Sequence, residues 1–192
     1  MVNEIDFTVE NYLLAHTELQ NLIVVDEIYD AIKLVQSKID SGNKIITCGN
    51  GGSASTASHY VTDWQKIYNL STGNKIHAYS LTDNIGLITA FANDLSYDEI
   101  FTGQLKSILS EGDLVIGISG SGNSMNVVNA LEYANLTKAD TLGILGYDGG
   151  KAIKIAKKNV LIKSFDMQLV EDLHLQIGHM IMKSICNTKI IF

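Results

Sequence analysis

Lys44-Ile45-Ile46-Thr47-Cys48-Gly49-Asn50-Gly51-Gly52-Ser53 reads as a short strand that breaks into a glycine turn and opens a helix. The apolar run suits a buried strand. The glycines permit a tight turn, and Ser53 begins a helix-like stretch. The same order recurs at Asp113-Leu114-Val115-Ile116-Gly117-Ile118-Ser119, which runs on through Gly120, Ser121, Gly122, Asn123 and Ser124 into another helical stretch. A loop of small residues between a strand and a helix exposes backbone N–H groups and the positive end of the helix dipole. The hydroxyls of Ser53, Ser119, Ser121 and Ser124 add donors there. With Asn50, Gly51 and Gly52 they form two candidate binding loops, which together suit a phosphorylated small molecule held from both ends. No Gly-Lys-Ser/Thr follows the first loop, so it is not a Walker motif, and its glycines have the wrong spacing for a dinucleotide fingerprint.

Working outward, β-rich runs appear at 44–48, 75–80, 113–119, 140–145 and 159–163. Helical stretches at 53–66, 85–92, 97–110, 124–136 and 151–157 alternate with them, and a last helix spans about Asp166 to Ile185. Alternation of this kind predicts an α/β fold, a parallel sheet covered by helices on both faces, with ligands at the C-terminal ends of its strands. Residues 5–41 read as helical. No linker, repeat or low-complexity tract interrupts the chain, so residues 1–192 read as one unit, with an N-terminal helical segment (1–41) and an α/β core (42–192). The apolar positions Leu13, Leu14, Ile23, Ile28 and Ile32 exceed what one sheet layer needs, which predicts a closed homo-oligomer, a tetramer in the simplest case. Between Ala92 and Glu99, Ser96 reads as an N-cap and Glu99 as its capping-box partner, which leaves Asp94 as a loop carboxylate for a substrate. Gly146 to Gly150 reads as a turn.

Composition narrows the function. The net charge of -7 argues against a nucleic-acid surface. No apolar run approaches the length of a membrane span, and the acidic N-terminus is no secretory signal. Two cysteines, Cys48 and Cys186, make no disulfide framework and point to a reducing cytoplasm. All 14 cationic residues are lysine. An anionic substrate therefore finds no guanidinium clamp and depends on N–H groups, hydroxyls and lysine.

Two further groups carry chemistry. His59 and Asp63 lie four apart on the helix opened by the first loop, so they share a face. Glu171, Asp172, His174 and His179 lie on the last helix. His59, Asp63, Glu171 and His179 make a four-donor set of imidazole and carboxylate fit for a metal ion. The same groups serve equally as acid and base without metal.

Taken together, these residues resemble the SIS (sugar isomerase) family, and within it the phosphoheptose isomerases. The motifs are Cys48 to Ala54 with His59, Phe91 to Asp94 with Tyr97, Ser121 to Ser124 with Asn126 and Val127, Asp148 to Gly150, and Glu171 to His174 with Gly178 and His179. They fall in the family's order across nearly the whole chain. The resemblance implies a SIS fold, a flavodoxin-like three-layer sandwich with a five-stranded parallel sheet, and a homotetramer with sites at subunit interfaces. It implies isomerisation of sedoheptulose 7-phosphate to an aldose phosphate, with the carboxylate at 63 as base and His179 as acid. It also implies zinc at His59, Asp63, Glu171 and His179 in some members.

The chain departs from the family pattern at Asp63 (usually Glu), Glu171 (usually Gln), Gly120 (usually Thr), Met125 (usually Pro) and Leu145 (usually Thr). Asp63 withdraws the carboxylate by one bond, Gly120 removes a hydroxyl, and Glu171 adds a charge that a cation would offset. The expected reaction is aldose–ketose exchange through an enediol. The alternatives are isomerisation of another sugar phosphate, or a non-catalytic relative that binds a phosphosugar or acts as an interaction scaffold.

Overall fold

In the computed structural model, which describes residues 6–191, five strands form one sheet in the order β2-β1-β3-β4-β5, every neighbouring pair parallel. They are β1 (Ile45–Cys48), β2 (Ala78–Ser80), β3 (Leu114–Ser119), β4 (Asp140–Leu145) and β5 (Lys158–Leu161). The register pairs Cys48 with Gly117 and Ser119 with Leu145. Every residue of β1 and β3 is buried, as a central parallel strand requires.

Among the described residues eight α-helices surround the sheet: α1 (Val9–Asn21), α2 (Val25–Ser41), α3 (Gly52–Thr72), α4 (Ile85–Asp94), α5 (Ile100–Ile108), α6 (Met125–Leu136), α7 (Ala152–Ile155) and α8 (Met167–Ile185). Successive side chains of each strand point to opposite faces. Ile45, Ile116 and Ile144 pack with Val35 of α2, Trp64 of α3 and Ile177 of α8. Ile46, Val115 and Leu145 pack with Phe101 of α5, Leu131 of α6 and Ala152 of α7. The result is the expected three-layer sandwich. From β1 the chain steps to the edge strand β2, then returns past β1 to β3. Strand order reverses between β1 and β3, and α/β sheets open their ligand crevice at such a point. Both Gly-Ser loops leave the sheet there.

Several details differ from expectation. The N-terminal helical segment is two helices, broken at Leu22–Val24, and the beginning of the expected helix at residue 5 lies outside the described residues, as does residue 192. Ile28 is buried in the chain's own core, and Ile23 and Ile32 pack against it, whereas Leu13 and Leu14 stay exposed at 62% and 61%. Helix α1 has no buried residue; it lies on α8 through hydrogen bonds from Tyr12 to Asp172 (2.7 Å) and from Gln20 to Gln176 (2.8 Å). Helix α3 runs on to Thr72 and stops at left-handed Gly73. The expected capping box does not form. A 3-10 turn at Tyr97–Glu99 delays α5 to Ile100, so Glu99 precedes the helix instead of lying inside its first turn, and the Ser96 side chain makes no cap bond.

Candidate functional site

The first loop is built by Gly51, whose φ of 54° and ψ of −124° lie outside the range of L side chains. That backbone turns the N-terminus of α3 outward. Neither the Gly52 nor the Ser53 N–H meets an acceptor among the described residues. Ser53 is only 5% exposed, and its hydroxyl has no partner among them either. Asn50 is engaged differently. Its amide pairs reciprocally with Asn126 at 2.8 and 2.9 Å, and it accepts from the Tyr97 hydroxyl at 2.9 Å. Asn50 thereby ties the first loop to the start of α6.

In the second loop, Ser119 Oγ accepts from the Gly122 N–H (3.0 Å) and Ser121 Oγ from the Asn123 N–H (3.2 Å). Each hydroxyl keeps its own proton to donate. Ser124 occupies the N-cap position of α6 without using its side chain. The turn at Gly146–Gly150 seats on this loop: Gly122 has φ 63°, and a side chain there would fall 2.0 Å from the Gly149 carbonyl. Lys151 N–H donates to Asn123 Oδ1 (3.1 Å) and Ala152 N–H to the Gly122 carbonyl (2.9 Å). Gly120 lies under Met167, whose sulfur would be 2.6 Å from a side chain's first carbon. A cleft of about 620 Å³ opens beside the loop at Asn123 and Gly150 and carries Lys151 and Lys154.

Helices α3 and α8 pack closely because Gly178 admits the ring of Tyr60. The Tyr60 hydroxyl donates to the His174 carbonyl, and Trp64 Nε1–H to the Gly178 carbonyl (3.1 Å). This brings His59 Nε2 within 3.0 Å of His179 Nε2, ring edge to ring face. Asp63 joins them, and one donor atom from each of the three lies within 4.8 Å of the others. Two imidazole nitrogens on one tetrahedral ion stand about 3.3 Å apart. The His/Asp group therefore fits a metal ion, and equally a proton relay.

Glu171, the fourth member of the expected set, is not in that group. Its carboxylate lies over Gly52, where an added side chain would fall 2.3 Å from Oε2 and 2.4 Å from Oε1. Asp94 ends α4, exposed, and accepts from the Asn93 amide at 2.8 Å. His174 is fully buried behind the site, near the Leu145 carbonyl but with neither ring nitrogen in hydrogen-bond geometry. Burial pushes its pKa down to about 4, against a weaker opposing pull from that carbonyl. Sequence reasoning missed the clamps Asn126 and Tyr97 and the cover Met167. Their partners are distant in sequence, and only the quoted motifs hinted at the first two.

Residues 12–146 match the SIS domain family. A phosphoheptose isomerase of Aliarcobacter butzleri is 36% identical over 177 residues, 91% of this chain and 93% of its own. A Helicobacter pylori phosphoheptose isomerase is 33% identical over 92% of this chain and 93% of its own. Among solved structures, the phosphoheptose isomerase of Neisseria gonorrhoeae superposes with a TM-score of 0.85 at 26% identity, covering 93% of this chain and 95% of its own. By sequence match and by superposition alike, the chain belongs to the SIS domain family.

Proposed function

We propose that the protein is a phosphosugar isomerase that exchanges aldose and ketose forms of a seven-carbon sugar phosphate, sedoheptulose 7-phosphate on the ketose side, through an enediol. The observation that carries the reading is the juxtaposition of the His59–Asp63–His179 group with two open Gly-Ser loops at the β1/β3 crevice. The similar proteins named phosphoheptose isomerase support it.

The phosphate is assigned to the N–H groups and hydroxyls of Ser53, Ser119, Ser121 and Ser124, with Gly51 and Gly52 leaving room for its approach. Asn50 holds the first loop, and Asp94 and Glu171 are assigned to sugar hydroxyls. Asp63 removes the proton from the carbon beside the carbonyl, and that electron pair forms the C1–C2 double bond. His179 gives a proton to the carbonyl oxygen. The steps then reverse at the neighbouring carbon, so protons and electrons balance with no oxidant. His59, its Nε2 3.0 Å from His179 Nε2, holds the His179 ring in place for that transfer. Zinc is assigned to His59, Asp63 and His179, with Glu171 as fourth donor, and when bound supplies Lewis-acid polarisation of the carbonyl.

The same reading takes residues 1–192 as one SIS unit working as a homotetramer. The exposed apolar residues of α1 and α4, neither of which buries a residue in its own chain, support self-association. Among the described residues no helix is long and apolar enough to cross a membrane. A cytoplasmic setting accords with two free cysteines, of which Cys48 is buried with its thiol pushed up to about 12 by burial. His179→Asn tests the assignment: kcat on sedoheptulose 7-phosphate should fall by about a hundredfold or more. An unchanged kcat would remove His179 from the chemistry.

A further inference from the structure

Glu171 is a half-buried carboxylate with no hydrogen bond or ion pair among the described residues. It rests over Gly52, the first residue of α3, near N–H groups that meet no acceptor among the described residues. The positive end of a 21-residue helix holds a carboxylate there in the absence of a better partner. Ser53 in the same turn is 5% exposed, and its hydroxyl, with no partner among the described residues, is free to donate to an acceptor placed there. Eight residues on along α8, His179 stands with His59 and Asp63 in a group that holds three donors among the described residues.

We infer that Glu171 couples the two sites: it blocks the anion loops when no metal is bound and completes the His59–Asp63–His179 group when an anion displaces it. This rests on the reading of the loops as a phosphate seat and of the three-donor group as a metal site. The physical cause is competition between like charges. A dianion at the α3 N-terminus and the Glu171 carboxylate want the same N–H groups and repel each other. Rotation of one long side chain about its own bonds relieves the conflict, and a divalent cation offers the evicted carboxylate a stronger partner than the helix end. Metal and anion therefore bind with positive cooperativity, and each raises the affinity of the other by the same factor. Gly52 is part of the device, because any side chain there would occupy the resting place of the carboxylate.

Zinc affinity, read by competition with a chromophoric chelator in sodium chloride and in sodium sulfate at equal ionic strength, tests this without reference to turnover. Saturating sulfate should tighten zinc binding about tenfold, within the ordinary range of site–site coupling. In Glu171→Gln the carboxylate charge is gone, and the sulfate effect should shrink below about twofold. Gly52→Ala evicts the carboxylate in advance; zinc should bind tighter in chloride, and sulfate should add little. Equal zinc affinity in both salts for the wild-type protein, absence of zinc binding, or a sulfate effect that survives in Glu171→Gln would each overturn the coupling. Turnover is measured separately. A protein that isomerises without coupling loses this inference alone, and one that couples without turnover loses the isomerase reading alone.

Discussion

Acidification should unlock the α8 side of the core through His174. The ring is fully buried, neither nitrogen has a hydrogen-bond partner among the described residues, and burial pushes its pKa down to about 4 from an ordinary value of 6.5. In the unfolded chain the same imidazole takes up a proton near 6.5. Between those values the unfolded state binds more protons, so stability falls as pH drops through the window. Above 6.5 the imidazole is neutral in both states and costs nothing. Below about 4 it is charged in both and the full penalty has been incurred. The difference of about 2.5 pH units, at 1.36 kcal/mol each, amounts to about 3 kcal/mol. That is a large share of an ordinary domain's stability. Urea unfolding at pH 7.5, 6, 5 and 4, followed by far-ultraviolet circular dichroism, reads it. His174→Leu removes the titration and leaves no partner behind, since the ring has none. Its stability should vary less with pH than the wild type by about 3 kcal/mol over the window. Equal pH dependence in the two proteins would show that His174 does not titrate on unfolding, and the reasoning from burial would be refuted.

Ser121→Ala and Ser124→Ala should each weaken sulfate binding by about 1–2 kcal/mol in calorimetry, the worth of one hydrogen bond to a charged acceptor; unchanged affinity in both would count against the loop as the anion seat. Asp113 is 1% exposed, accepts from the Lys44 and Ser110 N–H groups at 2.9 and 2.8 Å, and pairs with Lys44 Nζ at 2.8 Å. Asp113→Ala should therefore cost about 2–4 kcal/mol in chemical denaturation and leave the kcat of folded enzyme unaltered. Light scattering at micromolar concentration should give a tetramer mass, and a monomer mass would leave the exposed apolar face of α1 unexplained. Elemental analysis of protein purified without chelator should find zinc, and His59→Ala should lose it; retention in that variant would place the metal elsewhere.

Much of this architecture was legible in the sequence because parallel strands announce themselves. β3 and β4 are buried along nearly their whole length, so their apolar runs left no ambiguity of period. The two glycine loops were legible for the same local reason: Gly51 and Gly122 need positive φ angles that glycine supplies. What escaped was set by contacts between distant segments. The 3-10 turn before α5 replaced a capping box that the local residues spell out, as the chain there must also present Tyr97 to Asn50. Ile28 read as surface to be covered by another subunit, yet the chain's own sheet and α8 bury it. His59, Asp63 and His179 converged as their helical spacing suggested. Glu171 did not: its carboxylate lies over Gly52 at the start of α3, a contact with a distant segment that spacing along α8 does not encode. Gly120 read only as a missing hydroxyl, whereas in the fold Met167 takes the space a side chain would need.

Conversion of sedoheptulose 7-phosphate in deuterium oxide, followed by proton NMR, tests the central claim most directly. Proton transfer through an enediol with an acid–base pair open to solvent requires that the aldose product carry deuterium at the carbon beside its carbonyl, and that His179→Asn abolish both conversion and exchange. Aldose that forms with no deuterium, or wild-type protein that binds the sugar phosphate and neither converts it nor exchanges its carbon-bound proton with or without zinc, would contradict the account.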